Sequence, residues 1–261
     1  MISARAEGNR AAPLIGTSAM GKMKVLLLMQ LARLRTAWRP YLIVSSVMPL
    51  GIALLMRAVM TRAQVQRFGV QIVAGAAVLA IAMTAIVMLA QRMASLKESG
   101  TMDFYTTLPV ERSAVVASVL VSFALFALPG TIVVLIAGAL MFGLSMAGLW
   151  AVVPVWALGS FALAGIGLVI GFAAPDEQLA GMYSNLAMMT VLFLGILPAT
   201  TLPGWLGPLK AVIPSTYAVN ALKPGLLGHF SSGQLWDLLV LAGFGTLSFW
   251  AVRGPLWPRS E

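Results

Sequence analysis

The sequence predicts an all-α membrane protein. Its expected parts are six transmembrane helices, an N-terminal interfacial amphipathic helix, a short cytoplasmic helix between spans 2 and 3, and a proline-broken external segment between spans 5 and 6. Three observations predict it. Of 261 residues, 60% are hydrophobic and only 10% charged, with a mean hydropathy of +0.94. Soluble domains carry about 25% charged residues, and a soluble fold of this size has too little interior for so much apolar surface. Six apolar runs recur, each near the roughly 20 residues that cross a hydrocarbon core about 30 Å thick. The basic residues also segregate between alternate loops, as they do in a chain threaded with a defined cytoplasmic side.

The elements follow in order. Residues 1–21 lack the apolar core of a secretory signal and are expected to form a disordered cytoplasmic tail. Translation is read as starting at either Met1 or Met23. Residues 22–40 place Met23, Leu27, Leu31, Leu34 and Trp38 on one helical face, with Lys22, Lys24, Arg33, Arg35 and Arg39 supplying charge. Such a basic amphipathic helix lies in the inner membrane interface, either as an anchor alone or also as a dock for a cytoplasmic partner. Pro40 is expected to break it. The transmembrane domain, 41–252, then holds spans at Tyr41–Met56, Gly69–Ala90, Ser113–Phe142, Leu149–Ala173, Tyr183–Thr200 and Leu235–Val252. Inside lipid the backbone satisfies its own hydrogen bonds, so the spans are helices. Residues 253–261 form a cytoplasmic tail. With both termini inside, 12 of the 17 basic residues are cytoplasmic and 5 external, which favours that orientation.

Composition excludes several classes of chemistry. No cysteine is present, and His229 is the single histidine, so thiol catalysis and metal sites built on cysteine or several histidines are ruled out. A net charge of +9 suits loops facing anionic lipid in a chain this apolar, rather than nucleic acid. "GTSAMGKM", Gly16–Met23, falls one residue short of a phosphate-binding loop. Met23 replaces the Mg²⁺-binding hydroxyl, and the Pro-containing "AAPLI" before it is no buried strand, so no ATP site is assigned. No span carries a nucleophile–base pair, which leaves no catalytic residues. The near absence of intramembrane ionisable groups argues against a proton-driven carrier. Gly159, Gly165, Gly167 and Gly171 suit close helix packing, and Pro129–Gly130, Pro154 and Pro198 suit kinks. Asp237, at the start of span six, is assigned a capping or dipole role.

Two segments carry more order than membrane loops need. In "KESGTMDFYTTLPVERS", Gly100 ends the helix leaving span two, Ser99 or Thr101 caps a new short helix, and Asp103 sits in its first turn. Phe104, Tyr105 and Leu108 give that helix an apolar side before Pro109. It reads either as a plain membrane-surface helix or as a docking element. "LPGWLGPLKAVIPSTYAVNALKPGLLG", Leu202–Gly228, is too broken by proline to span. It fits two short helices dipping into the outer leaflet, with Trp205 and Tyr217 at interfacial depth, or an ordinary interfacial loop.

At these residues the chain resembles ABC-2-type transporter permeases, the membrane subunits of ATP-binding-cassette exporters of the drug- and antibiotic-resistance type. The first segment resembles their E-x-G-T-x-[DE] signature and the second their P-x-T-Y-A-[VI]-[DN]-[AG]-[LF] signature; the likeness runs from about Lys22 to Val252. The resemblance implies that Glu98, Gly100, Thr101, Asp103 and Phe104 belong to a coupling helix seated on an ATPase subunit. The helix at 22–40 and the turn Pro175–Gln178 are expected to touch that subunit too. It implies a re-entrant external hairpin carrying Pro203, Trp205, Pro214, Tyr217 and Asn220, the last standing where many members have Asp. It also implies a dimer (homo- or heterodimer) with two ATP-binding subunits that hold the ATP and Mg²⁺, in a bacterial inner membrane. No cofactor is expected on this chain. The apolar interior suggests a lipophilic cargo: a drug, antibiotic, lipid or hydrophobic peptide. The rival readings are an ion-gradient-driven secondary transporter and a non-transporting scaffold or sensor.

Overall fold

A computed structural model describes residues 19–100, 112–144, 150, 152–196, 207–228 and 231–253. The described residues are helical throughout, with turns between. The first helix, α1, runs Ala19–Val59 without interruption through Pro40 and Pro49. The expected break at Pro40 is therefore not found, and Ala19–Gly21, expected in the disordered tail, are helical. Proline removes one N–H and crowds the carbonyl four residues back. Within apolar surroundings a real break would strand several backbone groups, so carrying on as helix costs less. Gly21 and Lys22 of the phosphate-loop near-match lie inside this helix, not in a loop.

A 37-residue rod, Arg62–Glu98, follows. It comprises α2 (Arg62–Ala82), a π-helical stretch at Met83–Met88, and α3 (Leu89–Glu98). It starts with a capping box in which the Thr61 hydroxyl accepts from the Gln64 N–H and Gln64 accepts from the Thr61 N–H. The rod extends beyond the expected span, Gly69–Ala90, at both ends. Its most apolar stretch is 94% buried, against 22% for α1, so the rod is the axis of the bundle and α1 is peripheral.

The remaining helices wrap this axis. They are α4 (Arg112–Phe142), α5 (Val152–Ala173), α6 (Glu177–Val191, continuing as a π-helical stretch, Leu192–Ile196), α7 (Gly207–Val212), α8 (Pro214–Leu226) and α9 (Ser232–Arg253). Small residues set their approach. A side chain on Gly167 of α5 would run into the carbonyl oxygens of Ala85 and Ile86, and one on Gly171 would lie 2.7 Å from the Ala90 carbonyl oxygen. The expected glycine contacts are thus real at 167 and 171, which face the rod, and at 165, which faces Ser248 of α9. Gly159 has ordinary spacing, 3.8 Å from Ala218. Near Pro129 of α4, the Trp156 indole N–H donates to the Ala124 carbonyl at 2.8 Å and ties α5 to α4.

Four helical stretches among the described residues are long and apolar enough to cross a membrane: Arg39–Val59, Arg62–Glu98, Ala117–Phe142 and Val152–Ala173. They overlap the first four expected spans, the second extending beyond its expected bounds at both ends. The stretches expected as spans five and six correspond to α6 with its π-helical continuation and to α9.

Candidate functional site

The predicted coupling segment begins where the rod ends. Helix α3 stops at Glu98, and Gly100 takes φ +67° while its N–H donates to the Lys97 carbonyl at 3.1 Å. A left-handed residue directly after a helix favours glycine because a Cβ is strained there. Gly100 thus breaks the helix as its sequence position suggested. Thr101, Asp103 and Phe104 lie outside the described residues.

Two side chains at this helix end reach across to the α5–α6 turn. The Lys97 ammonium donates to the carbonyls of Phe172 and Ala174, 3.1 Å each, at the C-terminal end of α5. The Glu98 carboxylate accepts from the Glu177 N–H at 3.2 Å, at the N-terminus of α6. Each charge meets the helix end of opposite partial charge, cation on carbonyls and anion on amide N–H. Asp176 completes the turn as N-cap of α6, its Oδ1 accepting from the Leu179 N–H at 2.7 Å. Beneath, Ala94, Ala174 and Ala180 form a small buried contact that lets the backbones approach. Lys97 was counted only for its charge in the sequence. Its role had no sequence signal, because its partners are main-chain atoms some 75 residues away.

The second predicted segment contributes α7 and α8, the two short helices expected. Pro214 opens α8 in the first turn, where its missing N–H is not needed. The Tyr217 hydroxyl donates to the Ala211 carbonyl at 2.8 Å, pinning α8 to α7, and its ring lies 6.4 Å from that of Phe244 on α9. Asn220 accepts from Lys223 at 3.0 Å. Burial pushes the Lys223 ammonium below the usual lysine range; nearby Lys210 adds to this and Asp237 opposes it. Burial also lowers Lys210. Gln234 was not singled out in the sequence, yet it is buried and donates to the Ala221 carbonyl at 2.9 Å, joining α9 to α8. The cap of α9 is Ser231, whose hydroxyl accepts from the Gln234 N–H; Asp237, expected in a capping or dipole role, lies a turn further in and does not cap. Pro203, Trp205 and His229 lie outside the described residues.

The two predicted clusters are separate. Glu98 and Gly100 share one end of the bundle with the Pro175–Gln178 turn, while Pro214, Tyr217 and Asn220 belong to a second site built on α7, α8 and α9.

Comparison with known proteins gives two findings. Nodulation protein J of Sinorhizobium fredii is 27% identical over 134 residues. That region is 51% of this chain, and the chain spans about half the length of the curated relative it matches, 51%. The family model described as ABC-2 type transporter matches residues 23–227, well over half of the chain, covering the first predicted segment and the second up to Leu227. In this family the membrane subunit is the permease and ATPase activity resides on separate subunits. With long apolar helices around a buried axis and a family match across them, the chain is a membrane protein that belongs to the ABC-2 type transporter family.

Proposed function

We propose that this chain is the six-span permease subunit of an ABC exporter, moving a lipophilic substrate outward with ATP hydrolysed on a separate subunit. The observation that carries the reading is the fastening of the rod's end. Lys97 and Glu98 join α3 to the α5–α6 turn, so a push delivered at residues 98–108 reaches the buried axis and two further helices together. An element that collects an external motion and spreads it through the bundle is what a permease driven from outside the membrane needs. Glu98, Gly100, Thr101, Asp103 and Phe104 are assigned to the contact with the ATPase. Residues 22–40 of α1 are assigned to the inner interface, and the segment holding Pro203, Trp205, Pro214, Tyr217 and Asn220 to the outer closure of the pathway.

The complex is read as two permease copies with two ATPase subunits, in a bacterial inner membrane with both termini cytoplasmic. Loop charge supports the orientation. Lipophilic cargo is supported by an apolar cavity of about 280 Å³ walled by Leu128, Leu135 and Ile136 of α4 and by Val152, Val153 and Trp156 of α5.

The test is purification of the chain from its own host in mild detergent, with mass spectrometry of co-purifying proteins and reconstitution into vesicles. A stoichiometric soluble ATPase subunit, and ATP-dependent movement of a lipophilic substrate with ion gradients collapsed, is the expected result. Transport by the chain alone, driven by an ion gradient, would replace this reading with a secondary transporter. Stable ATPase binding without substrate movement would leave a scaffold.

A further inference from the structure

A cavity of about 260 Å³ opens between the middle of α1, the end of α3 and the start of α6. On α3, Arg92 and Ser95 line it toward the helix end and Met88 lines it one turn deeper; on α1, Pro40 and Tyr41 come first and Val44 follows. The third wall, at the first turn of α6, brings Glu177. Gln91 adds a third polar side chain to the α3 wall, while the α1 wall is apolar, the Tyr41 ring lying 4.8 Å from that of Phe126, so the polar groups gather on the α3 and α6 sides of the slot. Arg92 lies six residues before Glu98, about 9 Å inside the end of the rod at 1.5 Å per residue. The outward side of α1 is apolar here, with Ile43 55% and Val47 61% exposed.

Among the described residues the two charges that line the cavity have no hydrogen-bond or ion-pair partner, Arg92 being half-buried and Glu177 exposed. One cation and one anion, held apart on two walls of a slot whose third wall is apolar, call for a ligand with both charges and a tail. We propose that the cavity binds a phosphatidylethanolamine-type lipid, its phosphate on Arg92 and its ammonium on Glu177, with the first acyl segment against Val44 and Met88. The planar guanidinium matches two phosphate oxygens at once. An ammonium donates hydrogen bonds to a carboxylate; a trimethylated amine cannot. A purely anionic headgroup would satisfy Arg92 but set like charge against Glu177. The bound lipid seals the seam between α1 and α6. This site does not depend on the direction of transport or the nature of the cargo.

Native mass spectrometry of the purified protein, titrated with phosphatidylethanolamine, phosphatidylglycerol and phosphatidylcholine of identical chains, tests it. One phosphatidylethanolamine per chain should be retained about tenfold more strongly than either other lipid. Retention should fall stepwise as the amine is methylated. Arg92→Gln and Glu177→Gln, checked for wild-type elution and melting, should each abolish the preference. The methylation series on the wild-type protein needs no variant. Equal retention of all three lipids, stronger retention of phosphatidylglycerol, or an unchanged preference in both variants would overturn the proposal. So would displacement by the soluble headgroup, glycerophosphoethanolamine, at the lipid's own concentration.

Discussion

In the proposed complex Glu98 would act on the ATPase either directly or through the α6 turn that it grips, and one backbone substitution separates the two. Glu177 is the first residue of α6, and its N–H donates to the Glu98 carboxylate at 3.2 Å. Proline is favoured at that position, and Asp176 before it already has the extended φ −141°, ψ 171° that precedes proline readily. Glu177→Pro therefore removes the donor while keeping α6 and its Asp176 cap. The hydrogen bond is long and exposed, and a carboxylate at an exposed helix N-terminus is worth about 0.3–1 kcal/mol. Neither Glu98→Ala nor Glu177→Pro should lower the melting temperature by more than a few degrees. Both should cut substrate transport per ATP hydrolysed in reconstituted vesicles, by similar factors, and the double variant should be no worse than either single one. Glu177→Gln keeps the N–H, so a loss seen with proline and absent with glutamine belongs to the hydrogen bond. Uncoupling by Glu98→Ala together with normal coupling in Glu177→Pro would refute the reasoning and place the Glu98 carboxylate on the ATPase itself.

Exchanging the pair, Lys97→Glu with Glu98→Lys, conserves net charge but sets each charge against a helix end of its own sign; coupling should fall below that of either single alanine variant in the same vesicle assay. Gly167→Ala drives a methyl into two carbonyl oxygens of the π-helical stretch and should cost roughly 1–3 kcal/mol, read as a clear drop in melting temperature in detergent. Gly159→Ala, with 3.8 Å to its nearest neighbour, should melt as wild type. Asp176→Ala removes the cap on Leu179 and should cost about 1 kcal/mol, with faster amide exchange confined to the first turn of α6. Gly100→Ala, whose new methyl meets nothing within 4 Å at φ +67°, should cost about 1 kcal/mol from backbone strain alone, measured in the same melting assay.

Hydropathy made the first four spans legible to within a few residues at most ends, because burial in lipid demands continuous apolar runs. Ser113–Phe142 was expected where Arg112–Phe142 stands. Glycine and proline made the turn at Gly100 and the start of α8 legible, since each has a backbone constraint of its own. Proline misled at Pro40, where the helix tolerates it. The capping box at Thr61 and Gln64 was written in the sequence as T-x-x-Q but stood amid polar residues that read as a loop. Least legible were the long-range polar contacts of Lys97, Glu98, Trp156 and Gln234. Each ends on a main-chain atom, and main-chain atoms carry no residue identity to read.

A motif recognised by its residues invites the assumption that each one faces the partner. Here Glu98 already has a partner inside the chain, and Lys97, outside the motif, shares the same task. The pair works because the turn between α5 and α6 offers carbonyls and an N–H within reach of one helix end, so a cation and an anion at adjacent positions satisfy both. The Glu98 carboxylate therefore has a structural role at a turn 79 residues away, whatever surface it meets in the proposed complex. In the proposed mechanism, motion delivered at Gly100 would meet a helix end already fastened to the rest of the bundle, which is the condition for a short loop to move a long buried rod.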